Sequence, residues 1–308
     1  MIEVRDLVRK YDEHLAVAGI SFTVEKGDIY GFIGPNGAGK TTTIRILSTL
    51  LEPTSGDVRV GGRSVIRDPY EVRKLVGYMP DLFGVYDRVT VWEYLDFFSA
   101  AYRIDRARRR IVIEGVLELT DLGGVRDRLC IELSKGMKQR LCLAKTLVHD
   151  PQVLVLDEPA SGLDPRARIE FRALLKELRE MGKTIFLSSH ILTELSDVCN
   201  AVAIMEKGRI VASGTIQGIL EKLQPKRAYA VTVLDRAEEA KGIIEGSGAA
   251  SSVSCADHTV RFHLEGPVEG VPRIVKALSD GGIPIVGLEE VKENLEGLFM
   301  QLTRGEVA

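Results

Sequence analysis

The segment Gly34-Pro35-Asn36-Gly37-Ala38-Gly39-Lys40-Thr41-Thr42 constrains this chain more than any other. It lies between an apolar run, Ile29–Ile33, and a helix-like stretch, Thr42–Leu51. Glycines between a strand and a helix let successive backbone N–H groups curl around an anion. The following helix aims its positive end at the same spot. With Lys-Thr at its end, the pattern is that of a phosphate-binding loop. Lys40 reaches β- and γ-phosphates there, and the Thr41 hydroxyl ligates Mg²⁺. The bland alternative is a glycine turn that merely joins strand to helix.

The rest of the chain supplies a scaffold for such a loop. Ile2–Val4 and Ile20–Val24 read as short strands, and the turn Glu25-Lys26-Gly27-Asp28 leads into the strand Ile29–Ile33. A further strand pair surrounds Gly61-Gly62. From about residue 90 to 150 the pattern is helical, with Val91, Tyr94, Leu95 and Phe98 on one apolar face. Val153–Leu156 is a continuous apolar run, the signature of a strand buried on both faces of a parallel sheet. Thr184–Ser188 reads as another, reached through a helix over Arg166–Met181. Parallel strands joined by helices predict an α/β core.

After Pro225 the pattern changes. Strands Tyr229–Leu234, Thr259–Leu264 and Ile283–Leu288 and helices Ala237–Glu245 and Val268–Leu278 fit a β-α-β-β-α-β order, hence a small ferredoxin-like α+β domain. A last amphipathic helix carries Leu295, Leu298, Phe299 and Leu302. The division expected is residues 1–224, with a helical subdomain at about 82–150, and residues 225–308.

Composition narrows the class. At 308 residues and 45% hydrophobic content the chain has material for a real core. No run approaches the roughly 18 apolar residues that span a bilayer. The N-terminus lacks the layout of a secretion signal. A net charge of −3 argues against a general polyanion binder, and no nucleic-acid partner is expected. Cys130, Cys142, Cys199 and Cys255 have no metal-ligand spacing, which fits a reduced, cytosolic setting.

Asp157-Glu158, ending a buried strand, is the second strong signal. One carboxylate there can hold the Mg²⁺ shell and the other can polarise an attacking water. Their distance from Lys40 along the chain suits adjacent strands of one sheet. His190 ends the next strand; alone it reads as an ordinary polar residue, but beside Asp157-Glu158 it becomes a γ-phosphate contact.

With these residues in order, the chain resembles the ATP-binding subunit of an ABC transporter, over residues 1 to about 220. Leu133-Ser134-Lys135-Gly136-Met137-Lys138-Gln139-Arg140 is similar to the family's signature segment, and Ser161-Gly162-Leu163-Asp164 to its D-loop. The resemblance implies a P-loop NTPase fold, an ATPase activity, and ATP with Mg²⁺ as cofactors. It places Tyr11 against adenine, Gly34 through Thr42 around the phosphates, His190 at the switch-histidine position, and Glu158 as the base. It also implies two chains head to tail, so that Ser134 and Gly136 face the partner's nucleotide. A helix N-terminus is an anion site, and the plainer reading makes Ser134 an N-cap.

Two departures from the family pattern stand out. Asp81 replaces the usual glutamine after the strand Val76–Met79. Two like charges about 4 Å apart repel by about 4 kcal/mol at an effective dielectric near 20, so an acid there needs a cation, and Asp81 is assigned to the metal with Thr41 and Asp157. Lys135 and Met137 stand where glycine and glutamine are commoner. Both departures are similar to subunits that power ABC-2-type export permeases. The expected role is thus a peripheral ATPase on the cytoplasmic face of the membrane, acting as a homodimer and energising a separate permease. The C-terminal domain is expected to regulate or stabilise the dimer.

Other readings carry less. A soluble ABC ATPase of ribosomes or DNA would carry tandem ATPase units or a long coiled coil, and neither is present. A P-loop kinase or GTPase does not account for the signature segment. Arg103–Arg110 reads as a solvated basic face, with anionic lipid headgroups as the sharper alternative. Val85-Tyr86 and Val91-Trp92 are docking candidates for a permease helix, with core packing the alternative. Asp257, His258 and His263 are spaced too poorly for a metal. Asn294–Phe299 is similar to the tail of many export ATPases.

Overall fold

The computed structural model describes residues 1–82, 84–191, 195, 197–223, 227–264 and 270–291. The expectations on Asn294–Phe299 and on the helix through Leu302 lie outside the described residues. The chain divides into two compact units, the first Met1–Ile216 and the second beginning at Gln217.

The first unit has two sheets. One is antiparallel, in the order β2-β1-β4-β5, built from β1 (Ile2–Tyr11), β2 (His14–Val24), β4 (Ser55–Val60) and β5 (Arg63–Ser64). The other has the order β10-β9-β3-β8-β7-β6, from β3 (Ile29–Ile33), β6 (Val76–Met79), β7 (Val153–Leu156), β8 (Thr184–Ser189), β9 (Ala201–Glu206) and β10 (Arg209–Gly214). Its strands run parallel except β10. Val153–Leu156 and Ile29–Ile33 are buried throughout, as strands covered on both faces must be.

The core lies between the sheets. Ile2, Val4, Leu7, Ile20 and Phe22 from one side meet Phe32, Val155 and Phe186 from the other, with Ile44, Ile46 and Leu47 among them. The last three belong to α1 (Lys40–Leu47), so the helix after the phosphate loop is anchored by the core itself. It stops earlier than its apolar sequence implies, because Thr49 turns left-handed at φ 58°.

Two expectations on this unit need correction. The first two strands are far longer than Ile2–Val4 and Ile20–Val24. Register shifts in β1 between Val4 and Leu7 and between Arg9 and Lys10 interrupt the polar–apolar alternation and hide the strand's continuation. The strand of Lys40 and that of Asp157 are not neighbours either: β8 lies between β3 and β7.

Helices α2 (Pro69–Leu75), α3 (Val91–Ala101), α4 (Arg106–Leu119), α5 (Lys135–Leu147) and α6 (Pro165–Glu180) complete the described helices of this unit up to Glu180. A capping box of Thr90 and Glu93 starts α3, and its face of Val91, Tyr94 and Leu95 is buried. Val91 is therefore core, not a docking residue. Tyr86, by contrast, is 56% exposed and meets the exposed Phe97 edge-on at 5.8 Å. Trp92 is half-buried under the Arg126 guanidinium, and Val85 is half-buried. In the basic run, Arg109 pairs with Asp96 and Arg110 with Glu114, while Arg103, Arg106 and Arg108 are exposed.

Helix α7 (Ile216–Leu223) leads into the second unit. There β11 (Ala228–Val233), α8 (Ala237–Gly246), β12 (Ala250–Ala256), β13 (Thr259–Leu264), α9 (Gly270–Asp280) and β14 (Ile285–Val291) form an antiparallel sheet ordered β12-β13-β11-β14. Tyr229, Val231, Val260 and Phe262 pack with Ala240, Ile244, Ile274 and Leu278 from the two helices. This is the ferredoxin-like arrangement. Asp257 and His258 sit exposed in the β12–β13 turn, and no metal-holding group of His, Cys, Asp or Glu occurs among the described residues.

Candidate active site

Four neighbouring strands, β3, β8, β7 and β6, end on the same edge of the parallel sheet. Just beyond them stand, in that order, the Gly34–Thr42 loop, His190, Asp157-Glu158 and Asp81. Open α/β sheets bind ligands at this carboxyl edge.

Backbone geometry explains the loop's composition. A Cβ on Gly34 would fall 2.3 Å from the Met205 carbonyl oxygen. Gly39 has φ 104°, and a Cβ there would fall 2.3 Å from the Ala16 carbonyl oxygen. The loop is thus wedged between β9 and β2 with no room for side chains at either position. Among the described residues, the N–H groups of Gly37, Gly39, Lys40, Thr41 and Thr42 bond to no other group. Five free donors at a helix N-terminus make an anion cradle. Pro35 and Asn36 form its rim, and Ala38 is buried beneath it.

Lys40 folds back over this cradle. Its Nζ donates to the carbonyls of Gly34 at 2.7 Å and Pro35 at 3.2 Å. It also lies 3.4 Å from Glu158 Oε1, with the two side chains only 6% and 14% exposed. The other Glu158 oxygen accepts from His190 Nδ1 at 2.8 Å. Oε1 itself is buried without a hydrogen-bond donor among the described residues, since Lys40 is outside hydrogen-bond geometry. An orphaned buried carboxylate oxygen is costly, and a water molecule is the natural donor to complete it. Glu158 is also held at φ 47°, an unusual conformation for a non-glycine residue.

Asp157 is 2% exposed and pairs with no cationic side chain among the described residues. A buried carboxylate without a counter-charge is disfavoured. Desolvation raises the Asp81 carboxyl above its ordinary value, and the charges of Asp157 and Glu158 raise it further, against smaller opposing pulls from His190 and Lys135. This concentration of negative charge fits a divalent cation. No group of three or more His, Cys, Asp or Glu converges among the described residues, so a cation held here would draw further ligands from groups such as the exposed Thr41 hydroxyl, phosphate and water.

The remaining predicted residues are more dispersed. Tyr11 ends β1, partly exposed, with the Arg9 guanidinium 4.6 Å over its ring. Ser134 caps α5, accepting from the Met137 N–H at 3.3 Å, so the plainer N-cap reading holds within one chain. Ser134 and Gly136 face a separate concavity shared with Lys135 and with Gly162, Leu163 and Asp164. The Lys135 ammonium lies where a Cβ on Gly162 would project, at φ 65°. Sequence reasoning missed two buried polar links. Gln139 Nε2 donates to the Pro159 carbonyl, tying α5 to the segment after Glu158. Ser188 bridges Asp157 and Glu158. For Ser188 the signal was a polar residue at the end of a largely apolar strand; Gln139, in a helix rich in Lys and Arg, gave none.

Comparison with known proteins identifies relatives of the chain. A family model described as "ABC transporter" matches residues 17–161. The chain is 39% identical over 220 residues to the Nod factor export ATP-binding protein I of Burkholderia orbicola, covering 71% of this chain and 72% of that one. It is 34% identical over 226 residues to the ABC transporter ATP-binding protein NatA of Bacillus subtilis, covering 72% and 92% respectively. A solved ATP-binding subunit of an ABC transporter superposes with a TM-score of 0.65 at 30% identity, over 72% of this chain and 92% of that one.

Proposed function

Because the chain belongs to the ATP-binding proteins of ABC transporters, and is an ATPase of that family, we propose that it energises a separate ABC-2-type export permease by ATP-driven closure of a homodimer. The observation that carries this reading is the alignment of Lys40, His190, Asp157-Glu158 and Asp81 along one sheet edge. Export is supported by the relative whose name includes it. No described helix is long and apolar enough to cross a membrane, so a permease would hold this subunit at the cytoplasmic face.

The loop amides grip the phosphates, and Lys40 exchanges Glu158 and two carbonyls for the β- and γ-oxygens. Tyr11 stacks on the base. Glu158 Oε1 accepts the proton of the attacking water, with His190 holding the other oxygen so that the carboxylate cannot rotate away. Thr41, Asp157 and Asp81 would hold Mg²⁺, which when bound would neutralise charge developing on the phosphates. Ser134 and Gly136 of the second copy close over the γ-phosphate with the α5 N-terminus. Tyr86 and Phe97, an exposed aromatic pair, are the docking point for a permease helix. The second unit, with no catalytic cluster among its described residues, regulates or stabilises the dimer.

Sedimentation of the purified protein tests closure: MgATP under slow hydrolysis should shift monomer to dimer, and ADP should not. Affinity capture from solubilised membranes should retain a multispan permease. Persistence of the monomer with MgATP refutes closure, and capture of ribosomes or nucleic acid instead refutes the transport role.

A further inference from the structure

We propose that Ser188 is a positioning residue for ATP hydrolysis, fixing the Asp157 carboxylate and the Glu158 main chain together from the neighbouring strand. The inference rests on the hydrolytic reading above and deepens it. Because β8 lies between β3 and β7, its residues reach the acids of β7 directly. The register pairs Leu156 with Leu187, which brings Ser188 beside Asp157. Side chains alternate along each strand, so Phe186 and Ser188 share a face, as do Val153, Val155 and Asp157. Phe186, Val153 and Val155 are members of one core cluster. Ser188 thus extends this buried face with a hydroxyl and has no exposed surface, at 0%.

A hydroxyl has one proton to give, and both of its directions are committed here. Ser188 Oγ donates to Asp157 Oδ1 at 2.7 Å and accepts from the Glu158 N–H at 2.9 Å. The first bond fixes the plane of a carboxylate that has no other hydrogen-bonding partner among the described residues, and leaves Oδ2 free for the cation. The second holds the left-handed Glu158 backbone that turns its side chain toward Lys40 and His190. His190 lies two residues further along the same chain segment. One segment therefore fixes Glu158 twice, at its main chain through Ser188 and at its carboxylate through His190. A merely structural hydroxyl would stabilise the core without setting a ligand atom or a base.

The test compares Ser188→Ala with Ser188→Thr, which keeps the hydroxyl. Removing a hydrogen bond that orients a ligating carboxylate weakens metal affinity or activity by about 10- to 100-fold. Ser188→Ala should therefore weaken Mn²⁺ binding, read by electron paramagnetic resonance with ADP present, by about 10- to 100-fold. Its kcat should fall comparably, with KM for ATP within about threefold, because the phosphate cradle is untouched. Ser188→Thr should recover most of both. Should Ser188→Ala fail to fold, Ser188→Cys, of similar volume but a weak donor, takes its place with the same expectations. Wild-type Mn²⁺ affinity and kcat in the variant lacking the hydroxyl would overturn the proposal, as would equal losses in Ser188→Thr. A wild-type protein that neither binds Mn²⁺ with ADP nor hydrolyses ATP would sink the hydrolytic reading itself.

Discussion

Replacing Glu158 by glutamine should tighten nucleotide binding while nearly abolishing hydrolysis. In the structure Lys40 is not idle: its ammonium lies 3.4 Å from Glu158 Oε1 in a nearly closed setting. The gross attraction at that distance is about 5 kcal/mol at an effective dielectric near 20. Desolvation offsets most of such a figure, and hydrogen bonds to charged groups net about 1.5–3 kcal/mol. Glutamine is nearly isosteric and keeps a contact to His190 but withdraws the charge that holds Lys40. The ammonium is then freer to meet phosphate, and a negative charge near the phosphates is gone. A gain of about 1.5–3 kcal/mol is about a 10- to 150-fold lower Kd. ADP is the right ligand for calorimetry, since Lys40 reaches the β-phosphate while the absence of a γ-phosphate keeps dimer closure out of the measurement. Turnover of ATP should fall by about 10²- to 10⁴-fold, the scale of a lost general base. Unchanged or weaker ADP affinity would show that the Lys40–Glu158 contact does not compete with nucleotide. Near-normal turnover would remove Glu158 from the role of base.

The other predictions probe the metal, the loop and the acid response. Asp81→Ala should raise the Mg²⁺ concentration for half-maximal hydrolysis by about 10-fold or more; an unchanged Mg²⁺ titration excludes Asp81 from the metal. Gly39→Ala should cost about 2–6 kcal/mol, combining a strained φ with overpacking against the Ala16 carbonyl. Gly19→Ala, at φ 79° with open space around it, should cost only about 1–2 kcal/mol. Urea midpoints decide, and equal losses refute the clash. His149 is stacked on Tyr102 at 3.9 Å with its Nε2–H donating to the Val76 carbonyl, and burial pulls its pKa below the ordinary value. The unfolded chain therefore binds a proton first, and stability falls as pH drops below about 6.5, by at most about 1.4 kcal/mol per pH unit. His149→Gln should flatten that part of the melting-temperature profile, and an unchanged slope between pH 7 and 5 refutes the assignment.

Much of the site was legible in the chain because it is written locally. The Gly34–Thr42 loop is continuous in sequence, and its chemistry comes from backbone groups that glycine frees and a helix start orients. Asp157-Glu158 and His190 announce themselves by ending apolar runs. Ser134 declares a helix start, and it caps one in the structure. The β-α-β-β-α-β order of the second unit was legible in part: three strands and both helices show their periodicity in neighbouring residues, whereas β12 was not located in the sequence.

Pairing between strands is not local, and that is where sequence reading stopped. No pattern within β7 or β8 states which strand lies beside β3; that is settled by how helices cover the sheet and how the core packs. The insertion of β8 decides that His190 reaches the Glu158 carboxylate and that Ser188 reaches both acids. Val91 shows the same limit, since a helix can present an apolar residue to a partner or to its own core and only packing chooses. The chain by itself determined which groups carry the chemistry, because covalent order and backbone freedom confer that. Tertiary structure alone decided which groups hold one another in place, because only the folded sheet brings residues some thirty positions apart within hydrogen-bond reach.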